Sequence, residues 1–181
     1  HSAGFILPLC TIDIVRMGRF TRHGLLGRMT HKDEEIIKKS MERMAIAHLS
    51  SVPLRLLSGG QKQRAYIAQV LAHQADLLVM DEPTTGLDAG GKELYLKAVD
   101  EELQRGASVV IATHDIQDEA AICDKVMLLA RKVIATGKPH EVITPENLLK
   151  TFGIVISDQS KLSVVETMKC HGSDDDTAHE H

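Results

Sequence analysis

The chain has 181 residues, of which 43% are apolar and 25% charged, the composition of one globular domain with or without an appendage. Its only aromatic residues are Tyr66, Tyr95, Phe5, Phe20 and Phe152, so a base-stacking surface is not expected and no nucleic-acid partner is assigned. The net charge of −4 is unevenly spread: residues 1–73 hold eleven Lys/Arg and five Asp/Glu, residues 74–181 ten and twenty. The basic half has the charge to face phosphates, and equally that of a solvated helical surface.

Residues 11–19 carry apolar side chains at helical spacing and predict a short helix. Residues 20–31, rich in Gly, Arg and Thr, predict a loop. Thr30 is placed to cap a helix over 33–47, with Asp33 as the acid of a capping box. Ile36, Ile37, Met41, Met44 and Ala45 form its apolar stripe. Pro53 marks a break, and the first 57 residues read as mostly helical. Ser58-Gly59-Gly60 opens a helix that runs to about residue 72. Residues 76–80 form a short strand, buried by composition. Residues 89–105 are helical up to Gly106, 107–113 form a second buried strand and 116–122 a short helix. Residues 126–130 and 132–135 read as paired strands, and Thr144 caps a last helix with Pro145 in first position. Beyond Gly153 the pattern fades, and residues 171–181 read as a disordered tail. Strands alternating with helices predict an α/β layer with a helical insert in front.

The longest apolar runs, such as residues 126–130, fall far short of the roughly 20 residues of a membrane span. No signal peptide is visible. Cys10, Cys123 and Cys170 form no CxxC pair and read as reduced thiols of a cytosolic protein. The chain has no initiator Met and opens in mid-pattern, so further N-terminal sequence is expected.

The most informative feature is a set of motifs in fixed order. Leu57-Ser58-Gly59-Gly60-Gln61 is followed by Gln63-Arg64, then by an apolar strand ending in Asp81-Glu82-Pro83-Thr84. Gly86-Leu87-Asp88 comes next, and Thr113-His114-Asp115 follows the second strand. Each is weak alone, but their order within 60 residues is not a coincidence. The ensemble resembles the nucleotide-binding subunits of ABC transporters over residues 7–153. Residues 57–61 are similar to their signature loop, Asp81 and Glu82 to the end of Walker B, residues 86–88 to the D-loop, and His114 to the switch histidine. The implied fold is α/β: the C-terminal portion of a P-loop (RecA-like) ATPase core, with a helical subdomain and signature helix over about 7–73. Residues 74–153 then form the Walker B, D-loop and H-loop part, and 154–181 a C-terminal extension.

The resemblance implies roles, and the residue chemistry is compatible with each. Asp81, at the carboxyl end of a strand, is placed to orient Mg²⁺ through water. Glu82 is placed as the general base that polarises an attacking water. Both also read as plain surface acids after a strand. Ser58, Gly59, Gly60 and Gln61 open a helix whose exposed N–H groups favour anions, and the family implies contact with ATP held by the other subunit of a head-to-tail dimer. A helix cap accounts for the same residues. Ser58 is expected to lie in the helical insert, away from the edge where Asp81, Glu82 and His114 gather. His114 is placed near the γ-phosphate, where it can hydrogen-bond the phosphate and orient the water; a structural histidine is the bland alternative. Asp88 faces the partner subunit in this reading and also reads as the N-cap of 89–105. Arg64 reads chiefly as support for the loop.

No G-x-x-x-x-G-K-[ST] phosphate loop precedes Leu57, and the family's Q-loop glutamine and adenine-stacking aromatic are absent too. Gly86, Gly91 and Lys92 have the spacing of a phosphate loop, but Glu93 stands where Ser/Thr should bind magnesium. Residues 16–28 and 137–153 resemble the subfamily that serves manganese, zinc or iron importers. The implied cofactors are ATP and Mg²⁺. The implied partners are a second nucleotide-binding subunit, transmembrane permease subunits and a substrate-binding protein. The implied place is peripheral, on the cytoplasmic face of the cell membrane. His171, His179 and His181 among Asp174, Asp175 and Asp176 have the composition of a metal-binding tail or of a solvated one. Two other functions fit the motifs: a non-catalytic half-site that lends only residues 58–61 to a partner, and a soluble ABC ATPase outside transport, which usually carries two cassettes.

Without a phosphate loop the chain alone is expected to hydrolyse ATP negligibly, and without the strand before that loop, which belongs at the centre of the sheet, to be marginally stable. A steady turnover of the purified chain that vanishes in Glu82→Gln is the opposite result.

Overall fold

The computed structural model describes residues 9–23, 28–114, 116, 120 and 122–153. It divides into two compact units, His1–His114 and Asp115–His181.

In the first unit, the Asp13 carboxylate accepts from the backbone N–H of Cys10 at 2.8 Å and starts helix α1, Thr11–His23. The helix continues four residues into the expected loop, through residues 20–23, which contain no glycine or proline and follow an Arg19 anchored inward. Arg19 is 4% exposed; its Nη2 lies 2.8 Å from an Asp33 carboxylate oxygen, and its Nη1 donates to the Ala72 carbonyl at 2.9 Å. A buried charge demands such partners, since leaving it unpaired costs far more than the pair contributes. Gly18 belongs to the same crossing, where an added Cβ would overlap the Gln69 carbonyl oxygen.

Helix α2, His31–Arg43, opens on the predicted capping box: the Thr30 hydroxyl accepts from Asp33 N and the Asp33 carboxylate from Thr30 N. Ile36, Ile37 and Met41 are buried along its stripe. The helix stops four residues earlier than expected. Ala45 takes φ +51°, its N–H reaches Glu42 O, and the N–H of Ile46 reaches Met41 O at 2.9 Å. This is a Schellman end that turns Ile46 into the core, and an alanine in the left-handed position gives no sequence signal for it. Two 3₁₀ turns, Ala47–Leu49 and Leu54–Leu56, follow.

Helix α3, Gly59–His73, packs against α1 and α2 through Ala65, Ile67, Ala68, Leu71 and Ala72. Strand β1, Leu77–Asp81, leads through a turn to helix α4, Ala89–Gln104, and then to strand β2, Ser108–Ala112. The strands pair in parallel, with Leu77 opposite Ser108 and Asp81 opposite Ala112. Leu78 and Met80 join the core with Tyr95, Ala98, Val99 and Ala107. The other face of the pair carries Leu77, Val79 and Val110, each more than half exposed. Both strands were expected to be buried; among the described residues they are covered on one face only, a distinction that apolar composition cannot make. Glu102 of α4 is buried between Arg43 Nη1 at 2.6 Å and Arg105 Nε at 2.8 Å, which ties the end of α2 to α4.

In the second unit, strands β3, Val126–Ala130, and β4, Lys132–Gly137, form the expected antiparallel hairpin around Arg131, whose φ is +51°. Helices α5, Pro139–Val142, and α6, Pro145–Phe152, follow, with Thr144 capping the second as expected. Leu128, Val142 and Leu148 make the small core. Lys150 Nζ lies 2.6 Å from Glu146, and its hydrogen bond and charge hold that exposed carboxyl below its ordinary pKa. Most of the expected helix over 116–122, and all of the tail beyond Gly153 with its metal-binding reading, lie outside the described residues. Among the described residues no helix is long and apolar enough to cross a membrane.

Asp33→Ala removes both the α2 cap and the partner of a buried guanidinium. It is expected to destabilise the chain by about 3–5 kcal/mol. Chemical denaturation measures this, and a loss below about 1 kcal/mol would show that Arg19 is satisfied without it.

Candidate functional site

The parallel register determines which residues meet beyond the strand ends. Asp81 closes β1 opposite Ala112 and is exposed. Glu82 extends the ladder by one bond, its N–H donating to the Ala112 carbonyl at 2.8 Å. It then leaves the strand at φ +45°. A left-handed conformation at a non-glycine residue costs about 1–3 kcal/mol and persists only where neighbours hold it. The result is directional: Glu82 Oε1 accepts from the backbone N–H of His114 at 3.0 Å and lies 2.6 Å from the ring Nδ1 of His114. The His114 ring is 78% exposed and the Glu82 side chain 34%. Two of the predicted site residues, 32 positions apart, thus share one carboxylate oxygen. An Nδ1–H tautomer donates to Glu82, and Thr85 Oγ1 lies 3.5 Å from the other oxygen.

The start of α3 approaches the same turn through Gly60 and Gln63. Ser58 caps the helix, its hydroxyl accepting from Gln61 N at 3.2 Å, and Gln61 Oε1 accepts from Ser58 N at 2.9 Å. A Cβ on Gly60 would lie 2.9 Å from the Gly86 carbonyl oxygen, while one on Gly59 would meet nothing within 4 Å. Gln63 Nε2 donates to the Pro83 carbonyl at 3.0 Å and lies 3.4 Å from that of Glu82. The sequence placed Gln63 in a motif without giving it a partner, because a bond between residues 63 and 83 has no local signature. Arg64 Nη1 donates to the Met44 carbonyl at 3.3 Å, which ties α3 to the end of α2.

Gly86 takes φ +77°, which suits a residue without a Cβ in the turn before α4. Asp88 Oδ1 accepts from Gly91 N at 2.7 Å and caps α4. Gly91 and Lys92 therefore lie in a helical turn, with the Gly91 N–H already occupied, and make no phosphate cradle. Among the described residues no three His, Cys, Asp or Glu gather as a metal site. A lone exposed carboxylate such as Asp81 suits a hydrated Mg²⁺ that takes its other ligands from water and phosphate.

Residues 11–85 match the family model for ABC transporters. The chain is 35% identical over 146 residues to the manganese transport system ATP-binding protein MntA of Synechocystis, covering 81% of this chain and 56% of that one. It is 34% identical over 149 residues to the chelated iron transport system membrane protein YfeB of Yersinia pestis, covering 82% and 50%. A solved ABC transporter described as metal-chelate type, in an inward-facing conformation, superposes with a TM-score of 0.74 at 28% identity, over 83% of this chain and 60% of that one. Residues 11–85 thus carry the domain of the ABC transporter family, and the chain shares the P-loop α/β ATPase fold of that structure over about four fifths of its length. It spans about half to three fifths of the length of these relatives.

The cap and a partner-facing role at Asp88 are separable. Asp88→Asn is expected to keep the stability of the chain, and Asp88→Ala to lose about 1 kcal/mol. Urea unfolding of the two variants decides whether the side chain acts as the cap.

Proposed function

We propose that the complete protein is the ATP-hydrolysing subunit of an importer for divalent metal ions, of manganese, zinc or iron type. The observation that carries this reading is Glu82 held 2.6 Å from His114 at the carboxyl end of a parallel strand pair, where α/β folds bind ligands. The similarity to the ATP-binding protein of a manganese transport system and to a membrane protein of a chelated iron transport system supports the substrate class.

In this reading Glu82 takes a proton from the water that attacks the γ-phosphoryl group of ATP, giving ADP and phosphate. His114 orients the water and holds one Glu82 oxygen, leaving the other to receive the proton. Asp81 would hold Mg²⁺ through water, and the ion when bound neutralises phosphate charge. Ser58, Gly59, Gly60 and Gln61 present a helix N-terminus to ATP held by a second subunit, and Asp88 faces that subunit across a head-to-tail dimer. Permease subunits and a substrate-binding protein complete the assembly, which places the chain peripherally at the cytoplasmic face of the membrane.

Glu82→Gln in the full-length gene product tests the base. Turnover is expected to fall at least a hundredfold, while ATP-driven dimerisation, read by light scattering, persists because the amide keeps the size of the side chain. Unchanged turnover removes Glu82 from the role.

A further inference from the structure

Glu82 and His114 meet because the backbone of Glu82 is held in an unfavourable conformation, and the hold comes from outside the strand pair. We propose that Gln63 is a positioning residue for Glu82, its side-chain amide clamping the Glu82 and Pro83 carbonyls so that the Glu82 carboxylate stays aimed at His114. The inference deepens the reading of Glu82 as general base and rests on it.

Three observations converge. Glu82 at φ +45° cannot keep that conformation on its own preference. Its N–H is fixed to the Ala112 carbonyl at 2.8 Å, which secures one side of the residue only. On the other side, the Gln63 amide reaches Pro83 O at 3.0 Å and Glu82 O at 3.4 Å. A glutamine supplies two N–H donors from one nitrogen, so it can serve two adjacent carbonyls that point the same way. The base of Gln63 is firm as well. It sits one turn inside α3, behind the Ser58–Gln61 capping box, on a helix packed into the core through Ala65, Ala68 and Leu71. Gly60 lets that first turn come close, since any Cβ there would press on the Gly86 carbonyl at the far end of the same turn. The signature helix therefore grips the turn at both ends: by a hydrogen bond at 82–83 and by steric contact at 86. Movement of the start of α3 would reach Glu82 through Gln63.

The test uses steady-state ATP hydrolysis by the full-length protein together with NMR of the His114 ring in this chain. Gln63→Ala is expected to lower kcat about tenfold, through a Glu82 carboxylate no longer held in aim, with KM within about twofold. Gln63→Glu matches the size, has no N–H to donate and should lose at least as much. Gln63→Lys keeps an N–H donor and should recover most of kcat. In a Glu82→Gln background, Gln63→Ala should bring no further loss, because the residue acts through Glu82. In the isolated chain, the downfield Nδ1–H resonance of His114 should be present in the wild type and lost or broadened in Gln63→Ala. If the resonance persists in that variant, or if KM rises with kcat unchanged, Gln63 does not position Glu82. If Glu82→Gln hydrolyses ATP normally, it is the base reading that fails, and the His114 resonance still decides the clamp.

Discussion

The turn over residues 82–86 is the constraint on which the site depends, because two independent parts of the first unit hold it. Strand β2 fixes it from one side, through Ala112 O and the backbone of His114. Helix α3 fixes it from the other, through Gln63 and the close approach of Gly60. Neither contact alone determines where the Glu82 carboxylate points. Together they offset the cost of a left-handed glutamate and leave its oxygens displayed, one engaged by His114.

Helix α3 can act as a firm support because its own surroundings are tightly made. Small side chains at Ala65, Ala68 and Ala72 let α1 cross closely, with Gly18 against the Gln69 carbonyl. At its C-terminal end, the Ala72 carbonyl receives Arg19, whose charge is balanced by Asp33 of α2. One buried guanidinium thus joins three helices. Glu102, set between Arg43 and Arg105, does the same between α2 and α4. Buried ion pairs contribute little net stability, but a packing that leaves either partner unpaired is heavily penalised. They therefore select this helix arrangement over alternatives of similar apolar burial.

The strand pair shows the other side of this organisation. Leu78 and Met80 enter the core while Leu77, Val79 and Val110 remain exposed, so its packing is one-sided. The face that packs is the one that meets α4 and the helical part of the unit, whereas Asp81 alternates onto the exposed face with Leu77 and Val79. The strand ends are thus anchored through one face of the pair only.

What the sequence by itself determined is local. The capping boxes at Thr30 and Ser58 and the caps at Asp88 and Thr144 join residues three apart, within reach of any reading of adjacent positions. The same holds for the order of the site motifs, which is enough to assign the family. Tertiary structure decided what depends on residues distant along the chain. Ala45 turns left-handed because Ile46 is drawn into a core built by other helices. Residues 20–23 remain helical while Arg19, just before them, is satisfied by Asp33 and Ala72. The meeting of Glu82 with His114 needs the parallel register of β1 and β2, and the grip of Gln63 needs α3 laid against the turn that follows. Periodicity and propensity act over one or two turns, whereas these contacts span 14 to 53 residues and exist only once the helices and strands have packed.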